Sequence, residues 1–178
     1  MGPDVANVTL EEIQAPVRDE LDAVFDELAR VVKADVPIIN EVGEHLLRIR
    51  GKMFRPTLLL LSAQAVGRVT EREVTLGAAV ELIHLATLLH DDSVDHSALR
   101  RGQPTVNAEF SHEVAVIMGD YLYSRAIEQL VNLRSQEALE IMSRVTNELT
   151  IGEMREVIAY DGLDFTERDY DSLILAKT

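Results

Sequence analysis

The chain has 178 residues, of which 47% are hydrophobic, and its formal net charge is −14. Because binding to a nucleic-acid backbone requires a basic face, this charge excludes nucleic acid as an expected partner. The absence of cysteine excludes a disulfide framework and zinc sites built on thiolates.

The most apolar short run, residues 58–61, is soon followed by Ser62 and Gln64. It is far shorter than the roughly 20 residues that a membrane span needs. The first residues lack the basic, apolar pattern of a secretion leader. We therefore expect no transmembrane segment and a cytoplasmic location.

Signals of helix initiation recur along the chain, whereas strand signals do not. Residues 9–12 have the capping-box form, in which a hydroxyl and a carboxylate satisfy amide groups at a helix start. A glycine-containing turn is predicted within residues 46–56. Between these two segments, apolar residues recur at helical spacing at Leu21, Val24, Phe25, Leu28, Val31 and Val32.

A second capping box, at residues 70–73, begins a predicted helix over residues 70–96, which is about 40 Å long at ~1.5 Å per residue. A helix with so little polar surface is expected in the middle of a helical bundle. Its apolar side chains include Val80, Leu82, Ile83, Leu85, Leu88 and Leu89.

Residues 100–104 contain glycine and proline and are predicted to form a loop, with the next helix beginning near residues 105–107. A third polar break covers residues 160–165, and a looser capping pattern follows at residues 166–169. Because no linker divides the chain, we expect one all-α domain over residues 1–178.

Three carboxylates follow the apolar part of the long predicted helix. Asp91, Asp92 and Asp95 are spaced so that Asp95 lies beside both of the others on a helix. Like charges at this spacing repel each other, and a divalent cation would remove that repulsion. Oxygen ligands suit Mg²⁺, which commonly bridges carboxylates to phosphate. The alternative is that the acids merely mark a solvated helix end.

Two basic clusters flank these carboxylates in sequence. Arg100 and Arg101 precede a glycine that allows the loop to fold back, and arginine forks match diphosphate oxygens. Upstream, Lys52 and Arg55 stand in a second glycine-containing turn. We interpret the two clusters as an anion site, although for each residue alone the alternative is an ordinary surface ion pair.

Five motifs stand in order along the chain: Gly51-Lys52-x-x-Arg55-Pro56, Glu81-Leu82-Ile83-His84, His90-Asp91-Asp92-Ser93-Val94-Asp95, Arg100-Arg101-Gly102 and Gly119-Asp120. In this arrangement the sequence resembles the amino-terminal part of the trans-type polyprenyl diphosphate synthases, the polyprenyl synthetase family. The resemblance implies an all-α, isoprenoid-synthase-type helical bundle that is incomplete at its carboxyl terminus. It also implies a magnesium-dependent prenyltransferase that condenses an allylic diphosphate with isopentenyl diphosphate.

The resemblance further implies a role for individual residues. The allylic diphosphate with its Mg²⁺ ions is assigned to Asp91, Asp92, Asp95, Arg100 and Lys177, and Thr178 would lie near the developing allylic cation. Isopentenyl diphosphate is assigned to Gly51, Lys52, Arg55, His84 and Arg101. The family also suggests a homodimer formed through residues 114–130.

Ala86 and Thr87 stand one helical turn before the carboxylates. In the resembled family this turn often forms the floor under the growing chain. Small residues there imply an open tunnel and a medium- or long-chain product. The alternative is that Ala86 serves helix propensity alone.

The sequence lacks the second aspartate-rich motif that the family carries on a later helix, so we expect these residues alone to be inactive or weak. Asp161, Asp164, Asp169 and Asp171 are expected to be loop and cap residues. Two alternatives to a prenyltransferase remain. One is a non-catalytic partner subunit of a heteromeric synthase. The other is a helical metal-dependent phosphohydrolase built on His90 and Asp91, with further ligands from His84 and Asp120, although His90 alone is expected to be a core residue.

Overall fold

A computed structural model of the protein describes residues 8–49, 51–159 and 166–177. In this part of the chain the structure is helical apart from one short hairpin, which confirms the predicted all-α class. The helices are α1 (Leu10–Gln14), α2 (Arg18–Val31), α3 (Pro37–Arg48), α4 (Phe54–Val66), α5 (Glu71–Val94), α6 (Val106–Glu109), α7 (His112–Asn132), α8 (Gln136–Ala159) and α9 (Glu167–Lys177), with a 3₁₀ turn at Ala15–Val17.

The chain divides into two compact units, Met1–Leu133 and Arg134–Thr178. The first contains α1 to α7 and the hairpin, and the second contains α8 and α9. The division reflects local packing, and the single domain expected over residues 1–178 stays a prediction.

Helix α5 is the central element of the first unit, and its capping box fixes where it begins. The Glu73 carboxylate accepts a hydrogen bond from the Thr70 backbone N–H at 2.8 Å, and the Thr70 hydroxyl accepts one from the Arg72 N–H at 3.3 Å. Asp95 is the C-cap residue at the other end. The helix predicted over residues 70–96 is therefore present, with ends within two residues of the predicted ones.

The middle of α5 packs against α2, α4 and α7. Small residues allow the close approach: a Cβ atom on Gly77 would lie 3.1 Å from Cγ2 of Val24 on α2. The predicted position in the middle of a bundle is thus observed. The buried apolar residues of α5 are Ala78, Ala79, Leu82, Ile83, Ala86 and Leu89.

Within the described residues, α5 is long and apolar enough to cross a membrane by length and composition alone. Core helices of globular proteins pass the same test, and 44% of the most apolar window of α5 is buried inside the protein. The packing on α2, α4 and α7 covers part of this apolar surface.

Helices α5 and α7 are in close contact where His90 meets Gly119. A Cβ atom on Gly119 would lie 2.3 Å from His90 Nε2, so only glycine accommodates the imidazole in this position. His90 Nε2 is also 3.2 Å from the Val116 carbonyl oxygen and 3.4 Å from a carboxylate oxygen of Asp120. His90 therefore joins the two helices directly before Asp91 and Asp92.

Residues 100–104, predicted as a loop, form part of a hairpin between β1 (Leu99–Arg100) and β2 (Gln103–Pro104). Its turn residues, Arg101 and Gly102, have φ values of 52° and 77°. Positive φ at both central positions is the two-residue turn that suits the twist of a hairpin. Strands of two residues are too short to produce an alternating pattern, which explains why the sequence indicated only a loop.

The helix predicted to begin near residues 105–107 is present as α6, but it ends at Glu109. The chain enters α7 after Ser111, whose hydroxyl accepts a hydrogen bond from the Val114 N–H at 3.2 Å. In the second unit, the Asp169 carboxylate accepts from the Thr166 N–H at 3.0 Å, so the expected cap is observed. Asp171 lies within α9, so the expectation that it is a loop or cap residue was wrong. Asp161, Asp164 and the break at residues 160–165 lie outside the described residues.

Candidate active site

A pocket of about 50 Å³ lies between the carboxyl-terminal half of α5 and the hairpin. The α5 residues that line it recur every three or four positions and so occupy one face of the helix. The rest of the lining comes from the end of α3, the segment after it, the hairpin and the start of α6. Its polar lining residues are His45, Gly51, Glu81, His84, Asp92, Arg100, Arg101 and Thr105, and its apolar ones include Leu85, Leu88 and Leu89.

Asp92 and Arg100 form a two-pronged ion pair at this pocket. Arg100 Nε donates to Oδ2 of Asp92 at 2.8 Å, and Arg100 Nη2 donates to Oδ1 at 2.7 Å. The Asp92 side chain is 8% exposed and that of Arg100 is 35% exposed. The hydrogen bonds that Arg100 donates to Asp92 raise the pKa of Arg100, and the charges of Asp91 and Asp95 add to this effect against partial burial. The structure therefore brings the predicted acidic and basic clusters together.

The three aspartates occupy different environments at the end of α5. Asp92 is buried, Asp91 is half-buried and Asp95 is exposed. Across the described ranges, no three His, Asp or Glu side chains are gathered around one point that could hold a metal ion. The donor set fits Mg²⁺ in its chemistry, because it is made of carboxylate oxygens only. Asp92 is not placed as a metal ligand in this structure, because both of its oxygens accept hydrogen bonds from Arg100.

Gly51 and Arg101 meet at the mouth of the pocket. A Cβ atom on Gly51 would lie 2.9 Å from Arg101 Nη1, so glycine leaves room for the guanidinium. Lys52 is exposed, and its carbonyl oxygen accepts a hydrogen bond from Gln14 Nε2 at 2.9 Å. Arg55 is exposed in the first turn of α4. Both predicted basic clusters therefore lie in the first unit, and Arg101 is the member of the hairpin cluster that contacts Gly51.

Besides Asp92, the ionisable side chains Glu81 and His84 lie on the α5 wall of the pocket. Burial, together with the positive charges of Arg55, Arg101 and Arg100, lowers the pKa of His84 to about 4. The His84 imidazole is therefore neutral at pH 7 and offers one N–H donor. Burial raises the pKa of Glu81, and the charges of Arg55 and Arg101 oppose that rise.

The lowered pKa of His84 predicts a specific pH dependence of stability. Unfolded His84, with a pKa near 6.5, takes up a proton as the pH falls from 6.5 to 4, whereas folded His84 does not. The unfolded state binds more protons in this window, so this contribution to stability is lost as the pH falls through it. One full proton corresponds to at most about 1.4 kcal/mol per pH unit, and the half-buried ring lowers this to roughly 0.5 to 1 kcal/mol.

We therefore expect wild-type protein to lose more stability than His84→Gln between pH 7 and pH 5, measured by urea unfolding at both values. His96→Gln is the control, because His96 is exposed and near the same helix end. It should keep the wild-type pH slope. Equal slopes for wild type and His84→Gln would contradict the assignment.

Ala86 and Thr87 are not among the residues that line this pocket. Ala86 is buried in the bundle, and the Thr87 hydroxyl donates to the His84 carbonyl oxygen at 2.9 Å. The pocket is lined at this level by Leu85 and Leu88 instead. The role of Ala86 and Thr87 as the floor of a product tunnel stays a prediction.

Lys177 belongs to the second unit, where its ammonium group lies 2.8 Å from a Glu153 carboxylate oxygen and contacts Glu156. Burial lowers the pKa of Lys177, but the hydrogen bonds to both glutamates outweigh burial and raise it. Its predicted contact with an allylic diphosphate stays a prediction. Thr178 lies outside the described residues.

Glu81 belongs to one of the five sequence motifs, but the sequence did not predict a role for it. Helical spacing could have indicated this role, because Glu81, His84 and Asp92 lie on one face of α5. It is also the one acid in the otherwise apolar stretch from Val74 to His90. The partner of Asp92 could not be found in this way, because an aspartate–arginine distance depends on how the hairpin folds back.

The sequence profile of the Polyprenyl synthetase family matches residues 36–178. Octaprenyl diphosphate synthase of Escherichia coli (strain K12) is 37% identical over 171 residues, which cover 96% of this chain and 53% of that protein. Heptaprenyl diphosphate synthase component 2 of Geobacillus stearothermophilus is 35% identical over 169 residues, with 95% and 53% covered. The chain spans about half the length of the curated relatives it matches.

A solved structure, polyprenyl synthase from Caulobacter crescentus CB15 complexed with calcium and isoprenyl diphosphate, is also similar. It has a TM-score of 0.91 at 34% identity, covering 96% of this chain and 52% of that one. The fold is that of the isoprenoid-synthase helical bundles, as predicted. The chain belongs to the polyprenyl synthetase family and corresponds to an amino-terminal portion of its members.

Proposed function

We propose that this chain supplies the diphosphate-binding part of a magnesium-dependent trans-prenyltransferase. The reaction would condense an allylic diphosphate with isopentenyl diphosphate to give a medium- or long-chain polyprenyl diphosphate. The observation that carries the proposal is the pocket in which Asp92, Arg100, Arg101 and Gly51 are brought together. A cytoplasmic location is part of the same proposal.

The electrostatics of the pocket suit a diphosphate. Arg100 and Arg101 present guanidinium groups whose paired N–H donors match the spacing of phosphate oxygens. His84 is neutral, so it contributes a hydrogen bond without adding a charge that would need its own counter-ion. Leu85, Leu88 and Leu89 provide an apolar wall beside these groups. Such a wall excludes water from a reaction that develops a carbocation.

Asp91, Asp92 and Asp95 would hold Mg²⁺ in the proposed enzyme. When bound, the metal would supply a Lewis acid that neutralises charge on the leaving diphosphate. Because the Asp92 oxygens both accept from Arg100, movement of Arg100 to another anion would make more of that carboxylate available to the metal. A diphosphate in the pocket would be such an anion. Arg100 would thus exchange Asp92 for substrate.

Elongation activity tests the proposal, and weak activity is the expected positive result because these residues alone are expected to be inactive or weak. The chain is incubated with MgCl₂, farnesyl diphosphate and radiolabelled isopentenyl diphosphate, and the products are separated by length. Incorporation of label into longer prenyl diphosphates, lost in Asp91→Asn and kept in the exposed control Asp26→Asn, supports the proposal. Release of phosphate without elongation would instead favour the helical phosphohydrolase built on His90 and Asp91.

A partner-subunit role is a second candidate, because one relative is named as component 2 of a heptaprenyl diphosphate synthase. In that case the chain alone gives no elongation, and activity appears when a second chain is added. A homodimer through residues 114–130 is also proposed. Within this range Ile117 is 67% exposed and Tyr123 is 37% exposed, which leaves apolar surface for such a contact.

The proposed chain-length floor is tested by Ala86→Phe in whichever assembly elongates. We expect shorter products, because an aromatic ring at this turn would block the growing chain. Ala86 is buried, so overpacking is expected to lower stability by about 1–3 kcal/mol as well. A less stable variant with an unchanged product distribution would refute the floor assignment.

A further inference from the structure

Glu81 is a buried carboxylate whose role the proposed reaction leaves open. The residue is 6% exposed in the middle of α5, and it lines the same pocket as Gly51, His84 and Arg101. An acid on the wall of an anion-binding pocket opposes binding by its charge. Its presence there therefore requires a reason other than substrate attraction.

The cost of burying this carboxylate points to a paired state. A buried ion is tolerated when opposite charges compensate for the lost hydration. The charges that act on Glu81 are those of Arg55 and Arg101, one from each of the two basic clusters. Both arginines are exposed residues, so a buried acidic partner would restrict the orientations of their guanidinium groups.

Glu81 is placed on α5 in the same way as Asp92, on the face that lines the pocket. Glu81 and Asp92 are eleven residues apart, which places them about 16 Å apart along the same face of α5. Toward the carboxyl-terminal end of α5, both carboxylate oxygens of Asp92 accept hydrogen bonds from Arg100. The next residue of the hairpin, Arg101, is seated against Gly51, and its charge acts on Glu81. Two acids of one helix face thus line a pocket that two consecutive arginines also line.

We propose that Glu81 is a positioning residue, whose carboxylate holds the guanidinium groups of Arg101 and Arg55 in the orientation that binds a diphosphate. This inference rests on the proposed diphosphate site and adds a residue that acts through the arginines. Glu81 itself touches no substrate in this arrangement. In this proposal, the gain in diphosphate affinity from correctly oriented arginines exceeds the loss of affinity from the negative charge of Glu81.

For the diphosphate affinity of Glu81→Gln, this proposal predicts the opposite of what the charge of Glu81 alone would predict. If Glu81 acts only through its charge, Glu81→Gln removes a repulsive group and diphosphate binds more tightly. If Glu81 orients the arginines, Glu81→Gln weakens binding although the pocket becomes more positive. The probe is inorganic pyrophosphate without metal, titrated into the 178-residue chain by calorimetry.

We expect Glu81→Gln to weaken pyrophosphate binding about tenfold, which is ~1.4 kcal/mol. Glu81→Asp keeps the charge but shortens its reach, and it should also weaken binding. Glu109→Gln, at an exposed position at the end of α6, is the matched control and should stay within about twofold of wild type. Circular dichroism melting checks that each variant is folded.

A double-mutant cycle with Arg101→Ala separates positioning from general stability. Once Arg101 is absent, Glu81→Gln should no longer weaken binding and should strengthen it slightly. Equal or tighter binding by Glu81→Gln in the wild-type background overturns the inference, and so does unchanged binding by Glu81→Asp if Glu81→Gln does not fold. A wild-type chain that fails to bind pyrophosphate would instead overturn the proposed site itself.

Discussion

Replacing Arg100 with methionine is expected to lower the free energy of unfolding by about 2–3 kcal/mol. The substitution keeps most of the apolar stem but leaves the Asp92 carboxylate, whose side chain is 8% exposed, without its guanidinium partner. Removing one member of a buried pair costs about 3–5 kcal/mol. The partial exposure of Arg100 places the expected value below that range.

The reverse change, Asp92→Asn, is expected to cost about 1–2 kcal/mol, because a half-exposed arginine regains water more easily than a buried carboxylate does. The double variant should lose less than the sum of the single variants, with a coupling energy of about 1–3 kcal/mol measured by urea unfolding. Arg72→Met, at an exposed position in the first turn of α5, is the control and should change stability by less than about 0.5 kcal/mol. A coupling energy near zero would show that the pair is solvated rather than structural.

The second large effect concerns the contact between Gly119 and His90. Gly119→Ala would place a methyl group 2.3 Å from His90 Nε2, so the imidazole or the helix must move. Overpacking costs about 1–3 kcal/mol, and alanine recovers roughly 1 kcal/mol of helix propensity. We expect a net loss of about 1–2 kcal/mol for Gly119→Ala and more than 3 kcal/mol for Gly119→Leu.

The sign of this effect should depend on His90. In the His90→Ala background the imidazole that would clash with the new methyl group is absent. Gly119→Ala should then become neutral or stabilising by up to ~1 kcal/mol. Thermal and urea unfolding of the four proteins in the cycle measure this directly. Ser124→Ala, an exposed change on the same helix, serves as the control. If Gly119→Ala is equally destabilising in both backgrounds, the clash is with another group.

The Gly119 contact also bears on the site, because His90 immediately precedes two of the proposed metal ligands. The ring is 3.2 Å from the Val116 carbonyl oxygen, which ties the end of α5 to α7. A shift of His90 would therefore move Asp91 and Asp92 with the helix end. In Gly119→Ala we expect pyrophosphate affinity to fall together with stability, and both to recover when His90 is replaced by alanine.

The sequence by itself determined the helical class and the limits of the central helix. Thr70 and Glu73 satisfy the first amide groups of α5 within one turn, and such local contacts are visible in four residues of sequence. The order of the five motifs also identified the family before any geometry was known. Neither the capping contacts nor the motif order depends on tertiary contacts. The capping contacts lie within one helical turn, and the motif order is a property of the sequence.

The tertiary structure decided which charges meet. Asp92 and Arg100 are eight residues apart, and the hydrogen bonds between them exist because a two-residue turn folds β2 back on β1. The approach of Arg101 to Gly51 joins residues that are fifty positions apart. Residue types predicted an anion site, but only the packing of α5, the hairpin and the segment after α3 determined that Arg100 is paired and that Glu81 is buried. Burial and ion pairing depend on distances through space, which sequence spacing does not fix beyond one helix.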